Sequence, residues 1–455
     1  MKTKTVMVLI AVLLAVTLSA CTGAAAPGSS AAAPGSSPAA SNTQAPEKKA
    51  VQNLVITTFG SWAQAGTGLD AAIKYLNAKS DQTGISFEVD ALPEGDEGDS
   101  ILKTRFASGQ YPDIVYYFNA PLAQKNLGKP DDFADLSGDW TSKYDQTTLT
   151  SDIYSMGGKL KAAPIGGMQV GGVFYNKKVF SDLGLTVPKT FDELLSACEK
   201  IKAAGKIPFY LSGKDSWTVP LTAIFAFNRE LVGKDANDIY NQINTNKLHY
   251  ADLKLFQEGF GNTKVLKDKG YINDTWLSDT YDMAQKALTS GDAAMYANAS
   301  WMIASMQETY GQDAVNNIGG FAFPFSDSAT VSTWTPNALL VPNNGKNVEA
   351  ALQGVNLLMS DDAQSEFFKA DINVPMRAGL TSTLAPSAQD FYDIYQAGNG
   401  YVNFTSATKY GQGSSFGTNI QELLMGSMKA EQVAAMLDEE TAAAATAQND
   451  PNWVK

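Results

Sequence analysis

Histidine is almost absent from this chain: His249 is the only one in 455 residues, and it sits in a polar segment. Imidazole-based zinc sites and serine or cysteine triads both need a histidine held among partners, so the sequence disfavours both chemistries. Arginine is nearly as scarce. Arg105, Arg229 and Arg377 are the only three, which leaves few bidentate partners for a carboxylate or phosphate ligand. The formal charge is −13, opposite in sign to the concentrated basic surface that nucleic acid requires, so nucleic acid is excluded as a partner. Cysteine occurs only at Cys21 and Cys198. Cys198 lies on the apolar face of an expected helix and reads as a small buried hydrophobe. If Cys21 is modified, no disulfide can form within the chain.

What is present begins with a leader. Residues 1–20 carry Lys2 and Lys4, an apolar run from Val6 to Leu18 and small residues before Cys21, the grammar of a secretory signal peptide. Its apolar run is shorter than the roughly 20 residues of a membrane-spanning helix. Leu18-Ser19-Ala20-Cys21 resembles the bacterial lipobox, which implies cleavage before Cys21, acylation of its thiol and an extracytoplasmic protein anchored to the cell membrane. Ordinary secretion with a chance cysteine is the alternative. Residues 21–50, rich in Ala, Gly, Ser and Pro, cannot bury a core and read as a flexible tether. Roughly 400 residues remain, beyond the usual ceiling of about 250 to 300 for one core, so two lobes are expected.

Strand, helix, strand, helix, strand is the reading from Leu54 to Phe118, with strands at Leu54–Thr58, Ile85–Val89 and Ile114–Phe118 and helices near Leu69–Leu76 and Asp99–Ser108. That order argues for a mostly parallel sheet flanked by helices, with ligands beyond the carboxyl ends of its strands. Trp62, Tyr116, Tyr117 and Asn119 fall near those ends. The acidic loop Glu94-Gly95-Asp96-Glu97-Gly98-Asp99 lacks the spacing of a calcium loop and reads as solvated surface.

The stretch Gly157 to Pro208 is the best-defined part of the chain. Pro164, Gly166 and Gly167 suit a passage between lobes. Gly171–Tyr175 reads as a buried strand ending at Asn176, followed by a short helix over Lys177–Leu183 that Gly184 can terminate. Thr190 and Glu193 form a T-x-x-E capping box ahead of a helix carrying Phe191, Leu194, Leu195, Cys198 and Ile201, with Gly205 at its end. Further on, Ser212–Ile272 reads as largely helical, Thr280–Ser290 as a helix, and Ala293–Tyr296 and Ile318–Phe323 as strands. A Pro/Ser/Asp turn after Phe323 is expected to make a second crossing. Leu339–Val341 and helices over Val348–Met359 and Ser360–Phe368 would return to the first lobe. Val374–Leu380 would cross a third time, leaving a helix over Gln432–Glu440 in the second lobe.

GKLKAAPI, FYNKKVFSDLGL, PKTFDELL and AGKIP, in that order, resemble the extracytoplasmic sugar-binding proteins of ABC importers, the family of maltose-binding protein. L-x-x-x-F-A-S-G-x-x-P-D-I-V at Leu102–Val115 and GDAAMYANASW at Gly291–Trp301 match motifs of the same family, and the likeness spans residues 53–440. It implies an α/β, two-lobed, type II periplasmic-binding-protein-like fold, each lobe a mostly parallel sheet flanked by helices, with hinge crossings. The boundaries expected are 51–163 plus 326–375 for lobe 1 and 164–325 plus 376–455 for lobe 2. It also implies a monomeric receptor, without cofactor or metal, that delivers a carbohydrate to a membrane permease.

A sugar offers hydroxyls at its edge and C–H patches on its faces, so its site needs aromatic rings and hydrogen-bonding side chains. By resemblance Trp301 is the foremost stacking candidate, although Ala299 stands where a glycine is common; Trp217, Trp62 and Tyr117 follow. Polar candidates are Asn119, Gln169 and Asp215, while Arg377 suits a ligand or a structural role equally. Gln169 lies within Gly-Gly-Met-Gln-Val-Gly-Gly, which also allows the backbone itself to approach a ligand. Asp113 and Asn176 read as local caps. A rival from another class, a secreted glycoside hydrolase, would need two carboxylates about 5 to 9.5 Å apart; the resemblance names no catalytic acid. The same fold with a polyamine or peptide ligand is a further alternative.

Overall fold

Alternation in Gln52–Phe59 sends Leu54 and Ile56 into a fully buried core, as a half-buried strand should. This strand pairs in parallel with Ile85–Leu92 on one side and Ile114–Tyr117 on the other. The computed structural model describes residues 50–325, 327–410 and 415–454. The leader, Cys21 and the tether up to Lys49 lie outside the described residues. Between the first two strands, Gly68–Asn77 is capped by the Thr67 hydroxyl, which accepts from the Asp70 amide, and buries Leu69, Ala72, Ile73 and Leu76. The next helix, Gly95–Ala107, begins four residues earlier than expected. Acidic side chains in a first turn complement the positive end of the helix dipole, so the acidic loop becomes helix.

The first sheet runs Ile85–Leu92, Gln52–Phe59, Ile114–Tyr117, Ala338–Leu340, Ala163–Pro164, the last two pairings antiparallel. The second runs Gly400–Val402, Val331–Trp334, Gly167–Asn176, Ala293–Ala299, Ile207–Tyr210, with Ile318–Phe321 also on the long strand Gly167–Asn176. It is mixed rather than mostly parallel. The long strand leaves the hinge and runs antiparallel to Val331–Trp334, Ala293–Ala299 and Ile318–Phe321; in this sheet only the outer pairings, with Ile207–Tyr210 and Gly400–Val402, are parallel. Each sheet has its own interior. One forms from residues between Leu54 and Ile165 together with Ala338–Phe368; the other lobe is packed by two clusters drawn from Val170–Val331 and Ala385–Leu437.

Three passages join the lobes. Pro164 is still in the first sheet and Gly167 already in the second, with Gly166 between them at φ +103°, a conformation that favours glycine. The second passage lies between Trp334 and Ala338, not in the Pro/Ser/Asp turn after Phe323, so the expected boundary at residue 326 falls too early. The cause is local: Phe325 bridges to Ser328 and the Arg229 guanidinium forks onto Asp327 at 2.8 and 2.6 Å, turning the chain back into the same lobe. The third follows the helix Asp361–Ala370, where Val374–Pro375 pairs with Met168 and Gly167. Asp371 locks this corner by accepting from the Gly167 amide at 2.8 Å.

The segment after the crossing strand forms nearly as its sequence predicts, with helices Lys177–Asp182 and Phe191–Ala203. The Thr190 hydroxyl accepts from Glu193, while the Glu193 carboxylate reaches the Lys189 amide rather than that of Thr190. Among the described residues no helix is long and apolar enough to cross a membrane. Cys198 is fully enclosed, and burial pushes its thiol pKa up to about 12. Its thiolate fraction at pH 8 is therefore negligible. In a Cys21→Ser protein, a disulfide reagent at pH 8 should label no thiol until denaturant is added and one afterwards; labelling of the native protein would contradict this packing.

Candidate functional site

Strand Ala293–Ala299 ends in Ser300, and the helix Trp301–Tyr310 starts at once. The Ser300 hydroxyl accepts from the Val170 amide at 3.1 Å and donates to the Asn373 side chain at 2.5 Å, so the residue before Trp301 is tied to the crossing strand and to the third passage. Trp217 sits in a single helical turn, Ser216–Thr218, that Thr218 and Ser212 brace at 2.9 Å. Gly417 packs so closely under Ser216 that a Cβ would lie 2.2 Å from its carbonyl oxygen. These supports bring the two rings together: the Trp217 and Trp301 centroids are 6.1 Å apart.

Two further rings complete this wall, though no motif in the sequence marks them. Trp334, at the end of its strand and opposite Gln169, meets Trp301 edge-on at 4.9 Å and 86°. Tyr281 opens the helix Tyr281–Ser290 and lies 5.2 Å from Trp217. Its amide donates to Asp215 at 2.6 Å. Burial, then Tyr296, pushes the Tyr281 hydroxyl well above its ordinary pKa, so it remains a neutral donor and acceptor. Trp334 has one signal, a tryptophan closing a β-run just before Thr-Pro. Trp217 is 39% exposed, whereas the Trp301 indole N–H is buried with no acceptor among the described residues.

The other lobe presents Trp62, edge-on to Phe118 at 4.9 Å and to Tyr116 at 5.4 Å. Phe118 is 37% exposed. The Gln64 amide donates to Glu308 at 3.3 Å between the two lobes.

The candidates read from the sequence therefore divide. Trp301, Trp217, Gln169 and Asp215 gather at one wall, and Trp62 stands on the other lobe. Tyr117 does not reach a surface: it is fully buried, donates to Asp99 and accepts from Asn126, because the pleat turns it away from Tyr116. Asn119 is an N-cap, accepting from the Leu122 amide at 3.0 Å. Arg377 is buried and bonded to Asp361 in the first turn of the helix Asp361–Ala370, a structural role. Asn176 caps Val179 as expected, whereas Asp113 accepts from the Val55 amide and the Asn347 side chain, partners distant in sequence rather than the local amides expected, so its role is structural but not local. Among the described residues no group of three His, Cys, Asp or Glu side chains could hold a metal.

The glycines around Gln169 serve packing inside the protein. A Cβ on Gly171 would sit 2.8 Å from the Trp334 ring and 2.7 Å from the Ala299 methyl; one on Gly167 would sit 2.7 Å from the Asn373 backbone.

Two lobes on a three-stranded hinge with an aromatic wall define a type II binding-protein fold. The chain belongs to the family of bacterial extracellular solute-binding proteins, whose family model matches residues 60–365. It is 26% identical to a "Multiple sugar-binding protein" of Streptococcus mutans, over 67% of this chain and 71% of that one. It is also 26% identical to a "Probable sugar-binding periplasmic protein" of Mesorhizobium japonicum, over 81% and 87%. Among solved structures, a chitin oligosaccharide binding protein superposes with a TM-score of 0.71 at 21% identity, over 87% of this chain and 99% of that one. A raffinose complex of RafE superposes at 0.68 and 19%, over 87% and 100%.

Replacing Gly171 by valine should push the Trp334 ring out of place and cost about 1 to 3 kcal/mol by overpacking, read as a lower urea midpoint and altered tryptophan fluorescence. An unchanged midpoint and spectrum would show that the ring does not rest on this glycine.

Proposed function

We propose that this protein is the extracytoplasmic receptor of an ABC importer and that it closes its two lobes on a neutral sugar or oligosaccharide, which it hands to the permease unchanged. One observation carries the reading: three indoles and a phenol from four separate segments converge on one wall, with Trp217 partly exposed. Apolar rings flanked by an amide (Gln169) and a carboxylate (Asp215) match the C–H faces and hydroxyls of a carbohydrate. The sugar-binding names of its relatives support the same ligand class, and the scarcity of arginine speaks against an anion. In this reading Trp301, Trp217, Trp334, Tyr281, Gln169 and Asp215 bind from one lobe and Trp62 from the other. Closure follows because a ligand touching both lobes favours the closed state by its differential affinity.

The lobes are assigned as residues 51–164 with 338–370, and 167–334 with 386–454, the segments between them serving as the hinge. Cys21 is proposed as the acylated anchor, with the following tether letting the body reach a permease while it remains in water. The protein acts as a monomer, without cofactor, and performs no chemistry on its ligand.

A thermal-shift screen over mono- and oligosaccharides tests the ligand class. A bound sugar at about 100 times its dissociation constant should add about 2.7 kcal/mol of apparent stability, and Trp301→Ala should abolish that gain, measured against the variant's own unliganded midpoint, which the loss of ring packing will lower. Stabilisation by spermidine or a peptide instead, or sustained product formation from an oligosaccharide, would overturn the reading. The anchor has its own readout: mass spectrometry of the protein from a bacterial membrane should find an acylated amino-terminal Cys21, and Cys21→Ala should release the protein.

A further inference from the structure

One three-residue pattern occurs twice at the aromatic wall, as Asp215-Ser216-Trp217 and as Asp279-Thr280-Tyr281. In each, an aspartate stands two residues ahead of a ring, and the two patterns are laced to one another. The Asp215 carboxylate accepts from the Tyr281 amide at 2.6 Å, and the Asp279 carbonyl accepts from the Lys214 amide at 3.1 Å. Beside them the Gly213 amide donates to the Trp276 carbonyl at 2.6 Å, an approach so close that a Cβ on Gly213 would lie 2.7 Å from that oxygen. Asp279 is the more deeply set of the two aspartates. It is 3% exposed, and one of its carboxylate oxygens accepts from three neutral donors: the Tyr210 hydroxyl at 2.7 Å, the Asn273 amide at 2.8 Å and the Thr275 hydroxyl at 2.7 Å. Tyr210 ends the strand Ile207–Tyr210. Asn273 grips the next residue, Leu211, accepting from its amide at 2.8 Å and donating to its carbonyl at 3.0 Å. The Asp279 side chain thus reaches the root of the Trp217 segment twice, directly at Tyr210 and through Asn273 at Leu211. Hydrogen bonds to an ionised acceptor are stronger than neutral ones, and a low local dielectric strengthens them further.

We infer that Asp279 is a positioning residue of the binding wall: from beneath the surface, its carboxylate clamps the segment before Trp217 to the segment before Tyr281 and so sets the two rings at their 5.2 Å spacing. A ring held in place loses less freedom on binding than one that must be ordered by the ligand, so the clamp contributes to affinity through Trp217 and Tyr281. The same loop is gripped from its other side, where the Gln421 amide donates to the Gly213 carbonyl at 2.7 Å. This role rests on the binding reading of the wall proposed above but not on which solute fills it.

The test is a double-variant cycle in the full mature chain, combining Asp279→Asn with Trp217→Phe. Near-ultraviolet circular dichroism and acrylamide quenching of tryptophan emission read the ring arrangement without any ligand, and calorimetry with raffinose reads binding. Asp279→Asn should keep the far-ultraviolet spectrum of the parent, alter the near-ultraviolet spectrum, raise the quenching and weaken raffinose binding by about tenfold. In the Trp217→Phe background the same substitution should move quenching and affinity far less, because the ring through which it acts is gone. Thr275→Val removes one of the three donors at an exposed position; it should shift the same readouts in the same direction by a smaller amount, and it takes the place of Asp279→Asn in the cycle if that variant does not fold. Unchanged tryptophan signals in both variants would overturn the role. So would equal effects with and without Trp217, which would mark a carboxylate that serves folding alone. If the tryptophan signals follow the cycle but no sugar binds the parent, the positioning role stands and the carbohydrate reading falls.

Discussion

The approach of backbone to backbone along Gly167–Asn176 is the constraint on which the rest of the structure depends. This strand leaves the hinge and lies at the centre of the second sheet, where neighbours on both sides press against residues with no side chain: Asn373 on Gly167, Ala299 and Trp334 on Gly171, Phe321 and Phe391 on Gly172. Were these positions larger, the strands ending in Ser300 and Trp334 would stand off, and their rings would separate. Close packing of the interior thus sets the geometry of the surface wall.

Support for the wall differs from the support for each lobe. The lobes hold together through ordinary apolar burial, each around its own interior. The wall is held by polar ties at the base of each ring: Ser300 below Trp301, Thr218 below Trp217, and Asp215 at the Tyr281 amide. Hydrogen bonds have directions and apolar contacts do not, so polar ties position rings whose faces are meant to stay available. Asp215 takes part in this support through one carboxylate oxygen, which accepts from the Tyr281 amide.

Most of the architecture was legible because it rests on local rules. Thr190, Gly184 and Gly205 announced the helices around them, and alternation announced Gln52–Phe59. The mixed second sheet and the position of the second passage were not legible, because both depend on distant partners. The turn near residue 326 closes on Arg229, almost a hundred positions earlier. At the site, Trp301 and Trp217 were visible through motif and loop context, while Trp334 and Tyr281 become neighbours only once the strands pair. Tyr117 and Asn119 misled for a simple reason: both sit where a ligand residue could be, and the strand's pleat and a helix start claimed them instead.

Ser300 has a mechanical meaning. Its one hydroxyl joins the crossing strand, the foot of Trp301 and Asn373 on the returning passage, so these three move as a block. The indole of Trp301 is thus braced from the hinge side by backbone and side chain together. On the opposing lobe Trp62 packs edge-on against Phe59, Tyr116 and Phe118, a jaw of rings set against a fixed anvil.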